Sequence, residues 1–396
     1  MIRLPPQILL ALILTTAAPG CVSQTATSPS DQRARAFSLE QQGSLHDAES
    51  AWQAILKTHP TDAEAFAHLG FLESQQQRYS DAVRYYRRAA ALNPSMPSLQ
   101  MNLGLALFKA GDLKSAARVF EPLYRHAPPD SPDAQRLRLL LGMAYYGAAE
   151  YAAAIPYLRD AMTRDPQNLP YRLVLAHSCL WSKQYACVLD VYHQILALNA
   201  ESAEADMLAG EAYDEMRDHQ NAIEQFRNAV KADPKEPGVH FGLGYLLWCQ
   251  SQFDEAARQF QLETENSPDD TEALAYWADS NVRLNRPDLA RPLVEKALQR
   301  NPRQELPWLD LGILDAAAGH NNEALDDFHT AERLAPTDVQ VHWRLARLYQ
   351  SMGRRPQAQA EFEKTKSLTR AADKTVMEKL QANRPKGSPT APASTP

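Results

Sequence analysis

Residues 203–234 read AEADMLAGEAYDEMRDHQNAIEQFRNAVKADP. Small or apolar residues fall at Ala209, Gly210 and Tyr213, then at Ala222, Phe226 and Ala229, ahead of Pro234. Spacings of three and four within each half predict two amphipathic helices. Asp218 and His219 mark a polar turn between them, and Pro234 stops the second helix. An antiparallel pair this small cannot bury its own apolar face and must stack on copies of itself.

The copies are present. Prolines at 60, 94, 128, 166, 234, 268, 302 and 336 lie mostly 34 residues apart, with Ala200 in the one slot that lacks proline and a single longer interval of 38 after Pro128. With the proline as position 32, position 20 is alanine in every unit except for Val188, from Ala48 to Ala358. Position 8 is glycine or alanine throughout, and position 24 is large, as in Trp52, Tyr86, Phe120, Phe226, Phe260 and Phe328. Small residues at 8 and 20 let two helices approach backbone to backbone, and the large residue at 24 fills the gap toward the next pair.

This pattern resembles the tetratricopeptide repeat family through Leu69-Gly70, Leu103-Gly104, Leu141-Gly142 with Tyr145, Gly210 with Tyr213, Leu243-Gly244 and Leu311-Gly312. The resemblance implies an all-α, TPR-type α-solenoid of about ten antiparallel helix pairs wound as a right-handed superhelix over roughly residues 30–370. Position 11 departs from the pattern, with Glu73, Cys179, Asn281 and Asp315. The expected organisation is units 1–3 over 31–128, units 4–10 over 129–370, a polar capping helix over 371–383 and a disordered tail over 384–396. The insert HAPPDSPD at 126–133 should loosen or bend the stack after the third unit.

In such a fold the first helix of each pair lines the concave side, and positions 2, 5, 9, 12 and 13 point into it. Read this way, the groove offers Met101, Leu105 and Phe108, then Met143 and Tyr146, then His177 and Trp181, with Leu139 and Leu180 beside them. The sixth unit switches to Glu211, Asp214 and Glu215, and the seventh returns to Phe241, Tyr245 and Trp248. Aromatic and Met side chains anchor peptides, and carboxylates orient a Lys or Arg. The same residues would also serve as plain helix–helix packing with a solvated acidic face. The Lys and Asn pair with which some family members clamp a terminal carboxylate is absent at positions 5 and 9.

Composition narrows the function. A net charge of −7 and the lack of a basic stripe exclude nucleic acid as the expected partner. There is no phosphate loop, no His-Glu-x-x-His, no Cys-x-x-Cys and no Gly-x-Ser-x-Gly, so neither an enzyme, a cofactor nor a metal site is expected. Cys179 and Cys187, at positions 11 and 19 of one hairpin, could face each other as a disulfide or serve as small apolar filler.

The N-terminus reads as a targeting segment, with Arg3, an apolar run Ile8–Leu14 and small residues up to Gly20. Ala17-Ala18-Pro19-Gly20-Cys21 resembles a bacterial lipoprotein cleavage site, which implies a signal peptide over 1–20, an acylated Cys21 and a flexible tether over 21–30. An ordinary cleaved signal and an uncleaved anchor stay open. The expected role is a non-catalytic scaffold exported to the periplasm or outer membrane, touching the membrane only through its lipid anchor. It would hold a protein or peptide partner in its groove, with its oligomeric state unknown. The alternative is an accessory or glycan-binding subunit of a polysaccharide or cell-wall export machine.

Overall fold

The computed structural model describes residues 28–198 and 202–382, and among these every regular element is a helix. The signal segment, Cys21, Ala200 and the expected tail lie outside the described residues. The described residues form two compact units, divided between Ala148 and Ala149.

The first unit holds α1 (Pro29–Gln41), α2 (Leu45–Thr58), α3 (Ala63–Gln75), α4 (Tyr79–Leu92), α5 (Leu99–Lys109), α6 (Leu113–His126) and α7 (Pro132–Gly147). The second holds α8 (Tyr151–Arg164), α9 (Leu169–Trp181), α10 (Tyr185–Ala197), α11 (Ala203–Glu215), α12 (His219–Ala232), α13 (Val239–Cys249) and α14 (Phe253–Asn266). It continues with α15 (Thr271–Arg283), α16 (Pro287–Arg300), α17 (Glu305–Ala318), α18 (Asn321–Leu334), α19 (Val339–Ser351) and α20 (Arg355–Ala382). The expected capping segment is therefore the continuation of α20. At the other end α1 begins at Pro29, capped by Ser28, so the helix starts inside the stretch read as tether.

The periodic positions do what their sizes demand. The position-20 residues from Ala48 to Ala324 are fully buried, and so are Trp52, Tyr86, Phe120, Phe260 and Phe328 at position 24. A Cβ added at Gly70, Gly210 or Gly312 would come within 2.5–2.8 Å of the ring at position 24 of the same unit. Phe226 is wedged on its other side against Gly242 of the following pair. The large residue thus fills both the gap inside its own pair and the gap to the next one.

Helix ends follow from polar chemistry. Ser131, Asn168, Ser202, Asp218, Asp270 and Asp338 accept backbone amides in the first turns of their helices. Every turn from first to second helix places one residue in the left-handed region, always at position 15. Glycine fills it at Gly43, Gly111, Gly319 and Gly353, while Gln77, Ala149, Lys183, Arg217, Ser251 and Asn285 adopt it without glycine. The closing prolines have a use beyond stopping helices. The Pro166 carbonyl accepts from Arg172 (2.6 Å), that of Pro302 from Trp308 (2.9 Å) and that of Pro336 from His342 (3.0 Å).

The insert after Pro128 does not loosen the packing of α6 on α7, which is as extensive as at other junctions of the first unit. With Pro132 at its first turn and Ser131 as cap, α7 runs 16 residues where α9 has 13, so the added residues lengthen a helix instead of opening a loop.

The polar residues at position 11 each find a partner. Arg78 pairs with Glu73, Asn281 donates to the Trp277 carbonyl (2.8 Å), and Arg291 donates to Asp315 (2.6 Å). Cys179 forms a disulfide with Cys187 across α9 and α10, their Cα atoms 5.8 Å apart.

Candidate functional site

Helix neighbours identify the inner side. In the second unit α9 touches α11, α11 touches α13, α13 touches α15, α15 touches α17 and α17 touches α19, whereas no second helix makes a comparable contact with the next second helix. First helices closer to one another than second helices are the mark of a stack curved toward its first helices.

The sequence-predicted residues fall in both units. In the first, Met101, Leu105 and Phe108 on α5 and Met143 and Tyr146 on α7 are half-buried, and Met101 and Leu105 line a cleft with Pro122, Leu123 and Leu137. The remainder belong to the second unit. Trp181 is 49% exposed and lies against Tyr151 and His177 at ring separations of 4.6 and 5.1 Å. Leu180 is buried and belongs to the core, because position 12 of α9 turns toward its neighbours there.

The acidic band on α11 is partly engaged. His177 meets Glu204 at 2.9 Å, His219 meets Asp214 at 2.9 Å, and the Tyr185 hydroxyl donates to Glu215 at 3.1 Å. Glu211 has no hydrogen bond to a described residue, although it is solvent-accessible. Protein around it desolvates the carboxyl and Glu215 adds to the effect, so its pKa is raised while His177 pulls the other way.

Next along the inner side is an aromatic cluster. Phe241, Tyr245 and Trp248 rise along one face of α13 with ring separations of 6.3 and 6.2 Å. Tyr276 of α15 presents its edge to all three at 5.3–5.9 Å. Tyr245 remains 38% exposed. Beyond it, Trp248 Nε1 donates to Asp279 at 2.5 Å, Arg283 Nε donates to the same oxygen at 2.6 Å, and the Arg283 guanidinium stands 4.8 Å over the Trp248 ring.

Three residues of this region escape a reading of positions 2, 5, 9, 12 and 13, because they occupy position 6: Tyr276, Asp310 and Arg344. Asp310 is fully buried, with no donor to either carboxylate oxygen. Burial, then the neighbouring Asp279, raise its pKa well above the ordinary carboxylate value. Burial and the charges of Asp338 and Asp279 push Glu305 up to about 7. On α19, Trp343 is 43% exposed, with the guanidinium carbons of Arg344 and Arg347 at 5.2 and 5.7 Å from its ring.

One set of side chains has metal-ligand spacing. Glu332, His342 and Glu361 bring their ligand atoms within 4.8 Å of one another. The Lys364 ammonium sits 3.0 Å from both carboxylates, and His342 Nε2 is directed at the Pro336 carbonyl. That cluster already carries its own cation.

No described helix is long and apolar enough to cross a membrane. The family model described as "Tetratricopeptide repeat" matches residues 33–97, 69–132, 101–168, 189–237 and 207–271, together more than half of the chain. A CTR9 homolog protein of Arabidopsis thaliana is 21% identical over 74% of the chain, and the BBSome complex member BBS4 of Bos taurus is 25% identical over 55%. The matches span only 27% and 41% of those proteins' own lengths. Among solved structures, YrrB, described as a TPR protein with an unusual peptide-binding site, is 18% identical at a TM-score of 0.37, covering 45% of this chain and 91% of that one.

Proposed function

The chain belongs to the tetratricopeptide repeat family, and on that premise we propose that it is a non-catalytic scaffold that holds a peptide segment of a protein partner on the inner side of its first helices. The observation that carries this reading is the set of large aromatic side chains left open there: Trp181, Tyr245 and Trp343, each more than a third exposed. Side chains of this size are usually spent on a core, and exposed ones arranged along one face anchor partners. Glu211, accessible and without a hydrogen-bond donor, supplies a polar contact beside them.

In this reading the protein works in the cell envelope, tethered through an acylated Cys21. The leader-like composition of residues 1–20 supports export, and a disulfide between Cys179 and Cys187 suits an oxidising compartment. Labelling with a radioactive fatty acid should mark the wild-type chain and not Cys21→Ala.

Crosslinking in the native envelope followed by mass spectrometry tests the binding role. Trp181→Ala combined with Tyr245→Ala should remove the crosslinked partner while leaving the helical circular dichroism unchanged. An unchanged crosslinking pattern would refute the groove. Binding of purified envelope polysaccharide in the absence of any protein would point instead to a glycan-binding subunit.

A further inference from the structure

The two end helices on the inner side of the second unit, α11 and α19, carry opposite charge. Helix α11 carries five carboxylates and no Lys, Arg or His between Ala203 and Glu215. Helix α19 carries Arg344, Arg347 and His342 and no carboxylate. Between them α13 has no Asp, Glu, Lys or Arg and presents Phe241, Tyr245 and Trp248, α15 carries Glu272, Asp279 and Arg283, and α17 carries Glu305, Asp310 and Asp315.

Open charge of opposite sign stands at the two ends, with the exposed Glu272 of α15 between them. On α11, Glu211 is open and unbonded. On α19, neither Arg344 nor Arg347 has a hydrogen bond or ion pair to a described residue, and both flank the exposed Trp343. The carboxyls that act on Arg344 are Asp310, which is buried, and Asp279, already paired with Arg283. Arg347 is exposed, so an incoming carboxylate reaches it without displacing a partner.

We propose that this face takes an extended peptide segment with a basic block at one end, an apolar or aromatic centre, and an acidic block at the other. The basic block lies on α11, the centre on the α13–α15 aromatics and the acidic block on α19. The proposal rests on the peptide-binding reading above and specifies its partner. Four first-helix steps at about 10 Å each make roughly 40 Å, which an extended chain covers in about 12 residues. Opposite charge at the two ends fixes the direction in which the segment lies, because the reversed arrangement sets like charges against each other at both ends.

The test is selection of a random 16-residue peptide display library on the purified full chain. Enriched peptides are then measured by fluorescence anisotropy against wild type, Glu211→Lys/Glu215→Lys and Arg344→Glu/Arg347→Glu, with thermal melts to verify folding. Because Glu215 and Arg344 have neighbours in the fold, the single variants Glu211→Gln and Arg347→Gln serve as milder checks. We expect binders with separated Lys/Arg and Asp/Glu blocks. Each double reversal should weaken them at least tenfold, with recovery when the facing block of the peptide is reversed. Binders that require Trp181 and Tyr245 but ignore both charge reversals would overturn this proposal and leave the peptide groove standing. No enrichment, or binders indifferent to Trp181→Ala/Tyr245→Ala, would remove the groove and the proposal together.

Discussion

Helices α11–α14 and α15–α18 share one register and are built from different interiors. In the first stretch the pairs close on rings against glycine: Phe226 between Gly210 and Gly242, and Phe260 against Gly244. In the second, Phe328 closes on Gly312 in the same way but Val294 stands where a ring is usual, and Asp279, Asn281, Asp310, Asp315 and Asp327 are buried, against Asp206, His240 and Glu263 in the first. There α15 and α17 lie against each other over a longer stretch than α11 and α13. The repeat thus fixes where helices meet and leaves the polarity of the contact free. Buried polarity is the variable through which one region of a uniform scaffold comes to differ from another.

Removing the ring gives the largest expected difference between the two stretches. Phe226→Ala should cost about 3–5 kcal/mol, since glycines on both sides offer nothing that can collapse into the space. The matching Val294→Ala removes two methyl groups and should cost roughly 2 kcal/mol. Guanidinium unfolding of both variants measures this, and equal losses would break the comparison. Overpacking comes next: Ala222→Leu pushes a side chain into a fully buried position and should cost about 1–3 kcal/mol.

The polar interior predicts a dependence on pH. Asp327, pushed up to about 7 by burial and by the neighbouring Asp315, and Glu305, also near 7, bind protons in the folded chain that the unfolded chain releases near pH 4. A raised carboxyl pKa makes the folded state bind more protons between those values, so stability falls as pH rises from about 4 through 7. Asp327→Asn, and likewise Asp310→Asn, should therefore raise the melting temperature more at pH 8 than at pH 5. A gain of the same size at both pH values would show that the buried acids are not held protonated.

How much of this was legible beforehand follows from what a repeat constrains. Steric demands recur in every unit, so alanine at 20, glycine at 8 and the ring at 24 announce helix pairs and their core. That Trp181, Glu211 and Tyr245 stand on first helices was legible from their repeat positions, and their exposure is what the structure adds. Tyr276, Asp310 and Arg344 were not, because position 6 meets the preceding first helix and its character changes from unit to unit: Leu208, Gly242, Tyr276, Asp310, Arg344. A column that refuses to settle on one residue type was the available signal. The loosening expected from the insert before α7 does not occur between α6 and α7, because three prolines suggest a loop whereas Pro132 occupies the first turn of a helix, where it is well tolerated.

The smallest expected effect concerns the turns. Arg217 joins α11 to α12 at φ 66°, and Gly319 joins α17 to α18 at φ 83°. The left-handed region costs a residue with a Cβ roughly 1–2 kcal/mol, and glycine returns part of that through its greater freedom in the unfolded chain. Arg217→Gly should therefore stabilise by about 0.5–1 kcal/mol, and Gly319→Arg should destabilise by a similar amount. Arg217 is exposed, and no heavy atom lies within 4 Å of a Cβ built on Gly319. The exchange thus isolates backbone conformation from packing, and hydrogen exchange at the two turns reads it directly. Opposite signs of similar size would mean that the turns, unlike the interiors, are equivalent in the two stretches; a loss on Arg217→Gly would mean that the arginine side chain holds its turn through contacts of its own.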